Sequence, residues 1–140
     1  MNEELLLHEL VRWENYNEYE GHCLATWHDR MACFYLQLQP SEWDVLQPGM
    51  RWSATVLLQR FGEVLHCSEA QRQPLLEQLS GVNYRVQGEV LSQDGEQIVL
   101  GMPWGHLLVD LDERQPDALI GQWVRLEGVL QARWPDHTQH

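Results

Sequence analysis

Residues 84–90, Tyr84-Arg85-Val86-Gln87-Gly88-Glu89-Val90, decide the fold. Tyr84, Val86, Gly88 and Val90 alternate with Arg85, Gln87 and Glu89. A period of two puts the first set on one face of a strand and the charged set on the other. Gln93-Asp94-Gly95-Glu96 follows as a hairpin turn. Gln97–Gly101 reads as the next strand, Pro103-Trp104-Gly105 turns the chain, and His106–Leu111 is a further strand. Asp112–Ala118 is a polar connector, Trp123–Ala132 the last strand, and residues 135–140 a polar tail.

The same grammar runs through the first half. Tyr19, Gly21, Cys23 and Ala25 alternate, His28-Asp29-Arg30 turns, and Met31–Leu38 is rich in strand formers until Pro40-Ser41 breaks it. After the Gln47-Pro48-Gly49 turn, Trp52, Ala54, Val56 and Leu58 alternate, and Glu63–Cys67 reads as another short strand. Two stretches have a helical period instead. Asn2–Trp13 spaces Leu6, Leu10 and Trp13 helically, with Asn2 as cap and Glu3 and Glu4 at the positive end of the dipole. Ser68–Ser80 has Ser68 and Gln71 at capping-box spacing, Leu75, Leu76 and Leu79 as an apolar stripe, and Gly81 as a stop.

These elements predict a mainly β protein with two helices, built as one or two small barrels. The expected organisation is an N-terminal helix and connector over 1–18, a β unit over 19–67, a linker helix over 68–82, a second β unit over 83–134, and the tail. The halves also overlay. Gly21-His22-Cys23-Leu24 matches Gly88-Glu89-Val90-Leu91, and the Gly49–Gln59 run matches Gly121–Gln131.

Tyr84-x-Val86-x-Gly88-x-Val90, Ile98-Val99-Leu100, Leu108-Val109-Asp110 and Gly121-x-x-Val124-x-Leu126-x-Gly128-x-Leu130 together resemble the strand grammar of OB-fold barrels of the anticodon-binding and single-strand-binding type. The likeness covers 84–132 and, more faintly, 19–67. SH3-like barrels share the pattern, with glycines where a small barrel must coil. The resemblance implies oligonucleotide binding on the second and third strands. Those strands carry no arginine between Gln97 and Asp112, and they carry acidic Asp110 and Asp112.

Composition narrows the functions. The chain has 140 residues, 21 acidic and 9 basic, a net charge of −12, and no lysine. Schiff-base chemistry and a Walker-type phosphate loop are excluded. The charge opposes broad binding to phosphate backbones and anionic membranes. The N-terminal apolar run is only Leu5-Leu6-Leu7, and Cys23, Cys33 and Cys67 are odd in number, so a reduced, cytoplasmic setting is expected. His22-Cys23 and His66-Cys67 would be zinc ligands in a metal reading, but strand alternation splits each pair between two faces. They are read as core thiols and surface imidazoles, with no metal and no cofactor. No nucleophile or acid–base signature marks an enzyme.

Seven tryptophans remain: Trp13, Trp27, Trp43, Trp52, Trp104, Trp123 and Trp134. Trp52 follows its strand and reads as core. Trp27, Trp43 and Trp104 fall in or near turns, where exposed rings anchor interfaces. Residues 1–20 hold six carboxylates against Arg12, and residues 89–117 hold seven against Arg114. The expectation is a non-enzymatic protein-binding module, such as an immunity or inhibitor protein or an assembly subunit. It would meet a basic protein partner with Trp27, Trp43, Trp104, Asp110, Asp112 and Glu113. The alternative is a single-stranded nucleic-acid-binding OB module using Arg51, Arg60, Arg85, Arg125 and Arg133 with tryptophan stacking.

Overall fold

A computed structural model describes residues 2–13, 18–115 and 117–135. In chain order the elements are strands β1 (Asn2–Arg12), β2 (Glu20–Trp27) and β3 (Arg30–Gln37), helix α1 (Pro40–Val45), strand β4 (Arg51–His66), a 3₁₀ turn (Glu69–Gln71), and strands β5 (Leu75–Ser80), β6 (Asn83–Asp94), β7 (Gln97–Met102), β8 (Gly105–Asp110) and β9 (Trp123–Arg133). Most of the described residues are in strands. The chain divides into two compact units. Unit 1 is Met1–Val56 with Gln131–His140, and unit 2 is Leu57–Leu130. The crossings fall inside β4 and β9, not in loops.

In unit 1, β1, β2 and β3 form an antiparallel meander, and β1 also pairs with the start of β4 at Leu5↔Trp52. The end of β9 lies parallel to β3 through Tyr35↔Gln131 and Leu36↔Ala132. Alternation fills the interior. Leu5 and Leu7 face Cys23, Ala25, Trp27, Phe34, Leu36, Trp52 and Ala54, all buried. Trp27 and Phe34 meet edge to face at 5.6 Å between centroids, the geometry that ring quadrupoles favour. Helix α1 starts with Pro40, whose missing N–H costs nothing at a first helical position. Glu42 closes that turn by accepting the Gln39 N–H at 2.8 Å. The helix delivers Trp43, whose Nε1 donates to the Tyr19 carbonyl at 3.0 Å. Gly21 makes room, since a Cβ there would collide with the Trp43 ring and the Val11 carbonyl.

Unit 2 repeats the order with different strands. β6, β7 and β8 form the meander, turned at Asp94↔Gln97 with Gly95 at φ +62°. β6 pairs antiparallel with β9 from Asn83↔Val129 to Glu89↔Trp123. β4 runs parallel to β8 from Leu57↔Leu108 to Gln59↔Asp110 and is also a neighbour of β9. Thus β6, β7, β8, β9 and β4 hold the places that β1, β2, β3, β4 and β9 hold in unit 1. Val86, Val90, Ile98, Leu100, Leu107, Val109, Val124 and Leu126 fill this core. Gly128 lies so close to the Gln59 carbonyl, and Gly88 to the Gly101 carbonyl, that neither admits a Cβ. β5 is an addition that, among the described residues, pairs with β6 alone.

Two expected helices are strands. Asn2–Trp13 fails as a helix because β2 and β4 claim its two edges and bury Leu5 and Leu7 with a period of two. Leu6 and Leu10 stay half-exposed. The leucine- and glutamate-rich composition favours a helix, and tertiary pairing overrides it. Residues 68–82 keep the capping interaction, Ser68 N–H to Gln71 Oε1 at 3.2 Å, but only over one 3₁₀ turn. Pro74 then interrupts, and Leu75–Ser80 joins β6 as β5. Helix α1 lies where a strand break was expected, at Pro40. β4 is one strand through His66, not two. The overlay of Gly49–Gln59 on Gly121–Gln131 falls on equivalent strands β4 and β9. The overlay of Gly21 on Gly88 does not, because β1 is the counterpart of β6. Residues 15–17 of the expected connector and 136–140 of the tail lie outside the described residues.

Candidate functional site

Trp27 and Trp43 are core, not surface. Trp27 is fully buried at an inward position of β2 and donates from Nε1 to Glu3 Oε1 at 3.1 Å. Trp43 is 6% exposed, with its ring over Gly21. Turn proximity misleads for both: Trp27 continues the Cys23–Ala25 alternation, and α1 folds Trp43 inward. Trp104 is half-buried in the β7–β8 turn, and Trp123 is half-buried as well. Trp52 is buried, as its strand position predicts.

The acidic residues do come together. Asp94 and Glu96 flank the β6–β7 turn, Asp110 ends β8 opposite Gln97, and Asp112 and Glu113 follow. The Leu111 N–H donates to the Glu96 carbonyl at 2.8 Å and ties the loop to the hairpin. Asp110 Oδ1 accepts the Asp112 N–H at 2.8 Å and holds Asp112 at φ +59°. Asp94, Glu96, Asp112 and Glu113 are exposed. Arg60 is the anchor beneath. Its Nε and Nη2 donate to the Leu111 carbonyl at 3.1 and 2.6 Å, its Nη1 to the Gly62 carbonyl, and Nη2 also meets Glu113 at 3.1 Å. Arg114 lies beside Gly95. Five carboxylates thus form a rim at one end of unit 2, with two arginines beside them. Asp94 and Glu96 were not among the residues expected there, although a hairpin turn four residues wide was the signal for them.

Unit 1 carries a different surface. His22, Tyr35 and Gln131 lie in one cross-strand row. Trp13 covers it, donating from Nε1 to His22 Nδ1 at 2.8 Å, with ring centroids 5.9 Å from His22 and 5.5 Å from Tyr35. That bond leaves Nδ1 as acceptor and assigns the proton of the neutral ring to Nε2. Tyr35 donates its hydroxyl to Glu20 Oε1 at 2.5 Å. Burial, then the Glu20 carboxylate, holds the phenol well above the ordinary tyrosine range, and nearby Arg133 opposes this. Beside this row is a cleft of about 350 Å³ lined by Tyr19, Gln37, Leu38, Gln131, Ala132 and Arg133.

Cys23, Cys33 and Cys67 form no disulfide. Burial, reinforced by neighbouring Cys33, pushes the Cys23 thiol up to about 12. Cys33 is raised by burial and by Glu9. Neither is a ready nucleophile, because the reactive form is the thiolate. Among the described residues no three histidine, cysteine or carboxylate side chains gather as a metal site, and no helix is long and apolar enough to cross a membrane. The chain matches no protein-family model, no curated protein and no solved structure.

Proposed function

We propose that both units are OB-like barrels and that the chain is a non-enzymatic, cytoplasmic protein-binding module whose acidic rim docks a basic protein partner. In each unit the first strand pairs with the second and the fourth, and the third runs parallel to the fifth. That is the OB order, with each fifth strand drawn from the other half of the sequence. The rim is the observation that carries the docking reading. A hairpin and a pinned loop hold Asp94, Glu96, Asp112 and Glu113 in water, where their field steers a cationic partner and raises the association rate. An immunity or inhibitor protein, or an acidic subunit of an assembly, works in this way. Reversing Asp112 and Glu113 to arginine should abolish capture of the partner, and salt should weaken the wild-type complex. Capture that is indifferent to both would refute the docking reading.

A second reading, single-stranded nucleic acid, is favoured by the Trp13–His22–Tyr35 cluster. It lies on the second and third strands of unit 1, where OB barrels stack bases. Quenching of tryptophan fluorescence by single-stranded oligonucleotides at low salt would support it, and unchanged emission would eliminate it.

A further inference from the structure

The cleft of unit 1 lies where β3 and β9 part. Their parallel ladder ends at Leu36↔Ala132, and Gln37 and Arg133 stand just past it. Arg133 is half-buried there. Its Nε and Nη2 both donate to Gln131 Oε1, at 3.2 and 3.0 Å, which fixes the plane of the guanidinium. Five N–H groups minus these two leave three, of which one on Nη1 and one on Nη2 lie side by side on the Nη1–Nη2 edge. Among the described residues no carboxylate forms an ion pair with Arg133, whereas Arg51 and Arg60 each have one and Arg85 has two. The Gln131 Nε2 and the Gln37 side-chain amide make no hydrogen bond among the described residues. Tyr19, Leu38 and Ala132 also line the cleft. The volume, about 350 Å³, falls in the range of small-ligand clefts.

We propose that this cleft binds the C-terminal carboxylate of an extended peptide, with Arg133 as the fork and Gln37 and Gln131 as amide partners of the last peptide bond. A guanidinium edge held in plane matches a carboxylate with two parallel N–H···O bonds. Amide side chains both donate to and accept from a peptide backbone, and a parted ladder is the natural place for one. The idea rests on the protein-binding reading and sharpens it, because even a strongly basic partner carries one carboxylate at its chain end.

The test uses N-acetylated tripeptides ending in alanine, leucine or phenylalanine, each as free acid and as C-terminal amide. They are titrated into the full chain and followed by NMR at the Arg133 Nε–H and the side-chain amides of Gln37 and Gln131. The free acids should shift these signals and the amides should bind at least about tenfold more weakly, a difference of about 1.4 kcal/mol. Arg133→Gln should lose the discrimination while keeping its thermal midpoint. Equal binding of acid and amide, silence from all three acids, or discrimination that survives Arg133→Gln would overturn the proposal. So would stronger shifts from inorganic phosphate or cytidine monophosphate, which would make the cleft a phosphate site. The rim is tested separately. If Asp112→Arg with Glu113→Arg destroys partner capture while Arg133→Gln leaves it intact, the docking reading stands and the carboxylate role in that partner falls.

Discussion

Between its third and fourth strands, unit 1 folds residues 39–50 around α1 and seats Trp43 over Gly21. At the same place in the strand order, unit 2 has no helix among its described residues. Of the described residues in 111–122, Leu111 and Leu119 are buried, and Asp112, Glu113 and Asp117 stand exposed between them. The Leu119 N–H donates to Gln93 Oε1 at 2.8 Å, and Arg60 holds the Leu111 carbonyl. One strand order therefore tolerates two ways of closing a unit. A single large ring closes one unit, and two pinned leucines that leave a charged loop outside close the other. The difference separates a segment spent on packing from one available for display.

The largest expected effect tests the packing side. Trp43→Ala should cost about 3–5 kcal/mol and Leu119→Ala about 2–5 kcal/mol, by denaturant titration. A Trp43→Ala cost under about 1 kcal/mol would mean that α1 is not a closing element.

Alkaline titration comes next. Because the folded thiol of Cys23 is raised to about 12, the folded state keeps a proton that the unfolded state gives up from the ordinary value of 9.0 onward. The contribution of this thiol should therefore be constant below pH 9 and fall above it by about 1.4 kcal/mol per pH unit, up to its folded value. Tyr35 should add to the fall above the ordinary tyrosine value of 10.0, for the same reason and with the same sign. Cys23→Ala should flatten the first part of the decline. An unchanged slope would show that burial of this thiol is not what makes the protein alkali-sensitive.

Arg60→Ala addresses the display side. It removes a largely buried cation from two carbonyls and Glu113, at about 1–3 kcal/mol. Amide hydrogen exchange at Asp112 and Glu113 should rise while exchange in β1–β3 stays put. The smallest effect should be Arg85→Ala. Arg85 is 30% exposed between Glu77 and Glu127, at 3.2 and 3.0 Å. Pairs at the surface contribute about 1 kcal/mol or less.

Strands β2, β3 and β6–β9 were legible because each buries one face. Tyr84, Val86 and Val90 and the partners around them read correctly from alternation, and the Asp94-Gly95 turn from its residue types. The glycines at 88 and 128 read as places where a small barrel must coil, and the structure adds that neither admits a Cβ. What was not legible depends on pairing. Leu5-Leu6-Leu7 fits a helix or a strand equally, and only β2 and β4 decide which. Trp27 and Trp43 lie near turns, and nothing local says that one strand runs two residues further or that Pro40 starts a helix rather than ending a strand. The acidic rim was half legible: Asp110, Asp112 and Glu113 are contiguous, whereas Asp94 and Glu96 join them only through the β6–β7 pairing. Arg60, fifty residues earlier in the chain, gives no sign of anchoring that loop.

The central claim is that the loop of unit 2 displays charge for a partner. Quantitative capture from lysate with Asp112→Arg and Glu113→Arg beside wild type, each at low and high salt, tests it most directly. One specific band that the wild type retains at low salt, and that both the variant and high salt release, is the predicted result. A band that neither the substitutions nor the salt removes would contradict the account.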